Sequence, residues 1–168
     1  SCVSLHKVIE INMQNYTKSQ TRLAFVQYIF HKEFINIDSS ENIEDFQKHF
    51  YDTNIAIIDE KKEFKLKFNK NFLNKLFSSF KKNIDKKKLI DDLNVFIDIN
   101  RKFEKWDNIL KSIIFAIIAE LLITEKNKFK IVFNDYLNIS KSFVSQKETK
   151  LINAIIQKYI DKNEIIKK

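Results

Sequence analysis

Glycine and proline are both absent from the 168 residues of this chain. Their absence removes the usual residues for turns with φ > 0, helix C-caps and sharp loop corners. Many-turned β-sandwiches and barrels are therefore not expected. The same gap excludes a Walker A loop and a GxGxxG dinucleotide fingerprint, because both use glycine to let backbone approach phosphate closely. Lys, Ile, Asn and Phe stand in together for Arg, Ala, Gly and Pro, as an AT-rich genome would dictate, so the composition reads as bias rather than adaptation.

Cysteine is reduced to Cys2, which permits no internal disulfide and fits a reducing compartment. The three histidines, His6, His31 and His49, have no metal-ligand spacing, and Cys2 lies at a terminus, so neither a metal, a cofactor nor an enzymatic activity is expected. Asp91 with Asp92, and Asp59 with Glu60, are sequence neighbours that a helix would point about 100° apart. They read as solvated surface. Long apolar runs are missing as well: the longest, Ile113 to Ile123, is broken by Glu120, whereas a bilayer span needs about 20 residues. That run reads as a buried helix. No cationic stretch followed by an apolar one opens the chain, so the expected location is the cytoplasm, away from membranes. Met13 is the single methionine, and the expected native start, which makes residues 1–12 a non-native part of an N-terminal extension over 1–16.

What is present is a large apolar complement, 44% of the chain with 16 Phe, enough to fill one core or two small adjoining ones. The formal charge is +8 and is unevenly spread: residues 35–69 hold 8 acidic and 5 basic side chains, leaving 14 and 25 elsewhere. The basic excess outside that stretch favours polyanions, either nucleic acid or an acidic membrane surface, with a lysine-rich solvated surface that has no partner as the alternative.

Along the chain, Thr17 with Gln20 has the capping-box form, and Leu23, Val26, Phe30 and Phe34 follow on one face of a helix. Ser39 and Ser40, ahead of Glu41 and Glu44, predict a second, short helix with Ile43, Phe46 and Phe50 on one side. From Ile55 to Phe68 the pattern changes, since Phe64, Leu66 and Phe68 alternate with Lys65 and Lys67. At most one short hairpin is expected there. Phe72, Leu73, Leu76, Phe77, Phe80 and Ile84 return to helical spacing, continued by Leu89, Leu93, Phe96 and Ile97 beyond Lys86-Lys87-Lys88, either as one long helix or as two with a break near Asp85. Trp106 to Thr124 predicts the most apolar helix, at the centre of the core. A helix from about Lys130 carries Val132, Tyr136, Ile139 and Phe143, and a last one from about Glu148 carries Leu151, Ile155 and Tyr159. The expected fold is all-α, a single helical domain over residues 17–168.

The basic candidates start with Lys18 and Arg22, four residues apart and so on one side of the first helix, where both can grip phosphates. Lys32 falls in the same arc, but Phe25 and Ile29 lie between and break the stripe. Only two arginines exist, Arg22 and Arg101, so lysines must serve mainly as point charges. The bland alternative for Lys18 and Arg22, as for the Lys86-Lys87-Lys88 run, is a solvated helix face.

Three segments, in order, resemble a known family. Arg22 through Phe30 looks like the opening helix of the transcription antitermination factor NusB. Lys111 through Ala119-Glu120-Leu121-Leu122 is similar to the family's central helix, which ends in an acidic residue and leucine. Phe129 through Asn134-Asp135, then Ser140-Lys141-Ser142-Phe143, then Lys150 through Ile156 resemble the family's helix-start Asn-Glu, its Lys-Ser-Phe and its closing Phe-Val-Asn-Gly-Val-Leu. The similarity covers about residues 17–34 and 106–160. It implies about seven helices in two packed bundles, no active site, and partnership with the ribosomal protein that doubles as NusE. It also implies binding, within the RNA polymerase antitermination complex, of the single-stranded boxA element of ribosomal RNA leader transcripts. By motif position, Lys18, Arg22, Lys111 and Lys130 are the implied RNA-side residues. Phe30, Phe34, Leu110, Phe143, Lys147 and Leu151 are the implied partner-side ones, with core packing the competing role of Phe30 and Leu110.

The chain also departs from the family's pattern. The N-terminal basic cluster is thinned to Lys18 and Arg22, Phe115 occupies a basic position of the central helix, Asp135 replaces Glu and Ala154 replaces Gly. Lys147 stands where an acidic residue is common. Such thinning implies weak RNA binding alone and tighter binding beside the partner. Two other readings stay open: a helical adaptor that binds only protein, and the detached RNA-binding domain of a ribosomal RNA cytosine methyltransferase, of whose catalytic domain this chain is expected to hold none.

Overall fold

A computed structural model describes residues 17–34, 68–141 and 143–163, together with the backbone of residues 55–56 and 63–64. Among these residues stand six α-helices: α1 (Thr17–Phe34), α2 (Lys70–Asn83), α3 (Lys86–Asn94), α4 (Asn108–Leu121), α5 (Phe129–Ser140) and α6 (Gln146–Lys162). The fold is all-α. Its extended structure, among the described residues, is one two-residue antiparallel pair, β1 (Ile55–Ala56) with β2 (Glu63–Phe64), in which Ile55 faces Phe64. This is the short hairpin expected between 55 and 68. The expected helix after Ser39-Ser40, the residues Cys2, His6, His49, Asp59, Glu60 and Ser142, and the N-terminal extension lie outside the described residues.

The chain divides into two compact units, Ser1–Asn74 and Lys75–Lys168. In the first, α1 is buried on more than one side: Leu23, Ala24, Phe25, Val26, Tyr28 and Ile29 are covered, and so are Gln20, Thr21 and Arg22. Phe25 and Ile29 are fully covered, as the interrupted basic stripe required. The first turn of α2 is fixed from α1. Thr21 Oγ1 donates to the Thr17 carbonyl at 2.7 Å and accepts the Asn69 backbone N–H at 2.8 Å, while Asn69 Oδ1 accepts the Phe72 N–H at 2.9 Å. Asn69 thus caps the orphan donors at the start of α2.

In the second unit, α4 is the centre, with every residue from Ser112 to Leu121 buried. It packs against α5 and α6, which also pack on each other. A helix this apolar needs cover on all sides. It begins at Asn108 rather than at Trp106, because Trp106 is extended (φ −73°, ψ 157°) and closes a 3-10 turn over Phe103–Lys105. Phe103 is wholly buried and meets Trp106 and Phe115 with ring centroids 5.4 and 5.5 Å apart. Phe115, at the position where a basic residue was the family's habit, is therefore core.

The break near Asp85 is real and separates α2 from α3: the Asp85 side chain accepts the Lys88 N–H and caps the second helix. Lys86, Lys87 and Lys88 are exposed in its first turn. At the other end of the unit, Ser145 and Glu148 form a reciprocal capping box, so α6 starts two residues before the expected Glu148. The expected stripe through Leu151 is also displaced. Ile152, Ile155, Ile156, Tyr159 and Ile160 are buried whereas Leu151 is 37% exposed, because the i, i+3, i+4 rhythm runs from Ile152.

Val95, Leu122 and Lys141 close α3, α4 and α5 at φ of −60°, −65° and −56°, all in the right-handed region. Three 3-10 turns, Ile99–Arg101, Phe103–Lys105 and Lys126–Lys128, carry the chain through its corners.

Candidate functional site

Within the first unit the two N-terminal cations converge. Lys18 is exposed on the first turn of α1, and its Nζ lies 5.9 Å from the centroid of the Phe72 ring. Arg22 Cζ lies 5.5 Å from the same centroid. Both distances fall within cation–π range. The two cations differ in exposure, since Arg22 retains only 7% of its surface. An outward basic stripe would leave both in water, whereas here the guanidinium is covered and Lys18 is the arm that reaches solvent. Lys32, also exposed, lies over Tyr28 at 5.6 Å.

Phe30 and Phe34, further along α1, are half-buried, and Phe30 meets His31 edge-on with centroids 5.6 Å apart. Neither is wholly core.

In the second unit Lys111 is half-buried, and its Nζ donates to the Glu104 carbonyl at 3.2 Å. That places its charge beside the turn that follows α3. Glu104 is held there by Asn94, whose amide donates to both carboxylate oxygens at 3.2 and 3.1 Å while its own oxygen accepts the Phe103 N–H at 2.9 Å. A hydrogen bond from backbone, then the Asn94 amide, and more weakly the charges of Lys102 and Lys111, hold the Glu104 carboxyl below the usual carboxylate range. Lys130 is exposed in the first turn of α5, next to exposed Lys126 and Lys128, with Lys128 3.8 Å from Glu125. Lys126 and Lys128 were not singled out from sequence, although their alternation with Lys130 was visible there.

The candidates on the partner side separate by burial. Leu110 is only 4% exposed and packs in α4, the competing role foreseen for it. Phe143 (41% exposed), Lys147 and Leu151 are all at the surface. Lys147 and Leu151, four residues apart, share one side of α6, and Phe143 precedes the Ser145 cap by two residues. Phe143 and Leu151 are thus two large apolar side chains left exposed around the start of α6, with Lys147 between them in sequence.

Among the described residues, no group of three or more His, Cys, Asp or Glu side chains could hold a metal ion, and no helix is long and apolar enough to cross a membrane.

Comparison with known proteins comes to one family. The model of the NusB family matches residues 19–161. The chain is 27% identical over 141 residues to the transcription antitermination protein NusB of Rickettsia conorii, covering 84% of this chain and 89% of the relative. It is 26% identical over 149 residues to that of Rickettsia felis, covering 89% and 94%, and 30% identical over 83 residues to that of Bartonella henselae, covering 49% and 52%. No solved structure matches the chain.

Proposed function

Because this chain belongs to the NusB family, we propose that it is a transcription antitermination factor of ribosomal RNA operons, binding boxA-type leader RNA together with the ribosomal protein NusE. The family is non-enzymatic, and the chain is not an enzyme. The observation that carries the proposal is the continuous family match over residues 19–161, which leaves no helix of the second unit's core outside it. One helical domain over residues 17–168, working in the bacterial cytoplasm as part of the RNA polymerase antitermination complex, is the setting of this reading.

Surface chemistry supports the division of labour. Lys18, Arg22, Lys111 and Lys130 supply the RNA side, and a net charge of +8 favours the polyanion. Phe143, Lys147 and Leu151 are the partner-side residues of the second unit, and Phe30 and Phe34 those of the first. With Arg22 covered and Lys111 engaged by the Glu104 carbonyl, two of the four RNA-side cations are partly committed within the protein, and RNA binding by the chain alone is weak.

A salt titration of fluorescent boxA-like RNA, with and without NusE and against a scrambled RNA, tests this reading. If about 3 to 5 phosphates are neutralised, the slope of log affinity against log salt is roughly −2 to −3.5. Binding should tighten when NusE is added. Equal affinity for boxA-like and scrambled RNA in the presence of NusE would refute the proposal.

A further inference from the structure

We propose that Phe72 is a positioning residue for the RNA contact, its ring holding the Lys18 ammonium and the Arg22 guanidinium at one place on the first unit. The inference rests on the RNA-binding reading above and adds the device that orients the cations. Lysine and arginine side chains are long and rotamer-rich, so a phosphate that meets a loose pair must first order it. A ring at 5.9 and 5.5 Å orders both beforehand.

An aromatic partner suits this task for an electrostatic reason. It attracts a cation through its quadrupole and leaves the full positive charge, where a carboxylate would cancel it. The Lys18 ammonium, exposed beside the ring, therefore stays attractive to a phosphate.

The ring is itself fixed from the helix that bears the cations. Thr21, fully covered and sitting between Lys18 and Arg22, accepts the Asn69 N–H, and Asn69 accepts the N–H of Phe72. The two hydrogen bonds run from α1 to the residue whose ring lies against Lys18 and Arg22. Sequence separation is 48 residues, yet the polar chain sets the ring against one turn of helix. Arg22 is nearly buried against the ring, and Lys18 makes the contact in water.

The test uses the full chain with NusE and fluorescent boxA-like RNA, and compares Phe72→Leu, Phe72→Tyr and Lys18→Gln. Lys18→Gln removes a charge and should flatten the salt slope by about 0.7. Phe72→Leu keeps the charges and the apolar volume, so it should weaken binding about 5-fold, on the scale of one to two exposed cation–π contacts, at unchanged slope. Phe72→Tyr should restore affinity to within about twofold. Proton spectra supply the independent readout: upfield ring-current shifts of the Lys18 and Arg22 methylenes are expected in the wild type and the Tyr variant, and lost in the Leu variant. Should the Leu variant fail to fold, pentafluorophenylalanine at position 72 keeps the shape, reverses the quadrupole and is expected to show the same loss.

Wild-type affinity in the Leu or fluorinated variant overturns the positioning role and leaves the RNA reading standing. No preference of the wild type for boxA-like over scrambled RNA overturns both.

Discussion

The Thr21 hydroxyl accepts the backbone N–H of Asn69 at 2.8 Å while donating to the Thr17 carbonyl at 2.7 Å, so one buried oxygen joins α1 to the residue that caps α2. Thr21→Val keeps the shape and removes both bonds. A loss of about 1–2 kcal/mol in unfolding free energy is expected, from the Asn69 donor left without its acceptor. Thr21→Ser should recover most of it. Urea denaturation of the three proteins makes the comparison, and a stable Val variant would show that the bond contributes nothing net.

Phe143 and Leu110 were implied for the same partner surface, and their burial now separates them. Leu110→Ala should cost about 2–5 kcal/mol of stability, as for other buried leucines. Phe143→Ala, at a 41% exposed position, should cost about 1 kcal/mol or less and weaken NusE binding. Calorimetric binding beside thermal unfolding distinguishes them. Unfolding of the Phe143 variant would make that ring a structural element instead.

Ser145 connects folding to the same surface, because its capping box starts the helix that carries Lys147 and Leu151. Ser145→Ala should destabilise by about 1 kcal/mol, and Ser145→Asp by much less, since aspartate also caps. If the first turn of α6 frays in the Ala variant, amide exchange at residues 147–149 quickens before the rest of α6 changes.

Tyr159 gives a pH dependence. Burial, helped by the charge of Asp92, pushes its phenol above the ordinary value of 10.0. The folded state therefore keeps the proton longer than the unfolded chain does. Its contribution to stability is full below the ordinary value and is lost as pH rises from there through the raised folded value. As pH rises above the ordinary value of 10.0, wild-type stability should fall more steeply than that of Tyr159→Phe. Parallel slopes in urea denaturation would remove the effect.

How much of this was legible in the sequence depends on range. The break at Asp85 was one of two readings left open, although an N-cap acts within three residues, and the Ser145-x-x-Glu148 signature was equally local, though the start of α6 was placed at its second member. Leu151 was assigned to the buried stripe because a spacing of four holds for two adjacent faces of a helix. Only packing shows which of the two is covered. Arg22 was taken as outward because amphipathic patterning counts every arginine as polar, while the residue is in fact covered and its guanidinium lies 5.5 Å from a ring 50 residues later. Nothing local marks Thr21 as the acceptor for Asn69.

The right-handed closures at Val95, Leu122 and Lys141 bear on how such a chain evolves. Those three residues adopt backbone angles open to every L-residue, so codon drift can rewrite them without straining the main chain; only the N–H that Leu122 and Lys141 each donate to the carbonyl four residues back bars proline there. At Val95, Leu122 and Lys141 the main chain asks for no glycine, so a chain without that residue closes these three helices at no conformational cost.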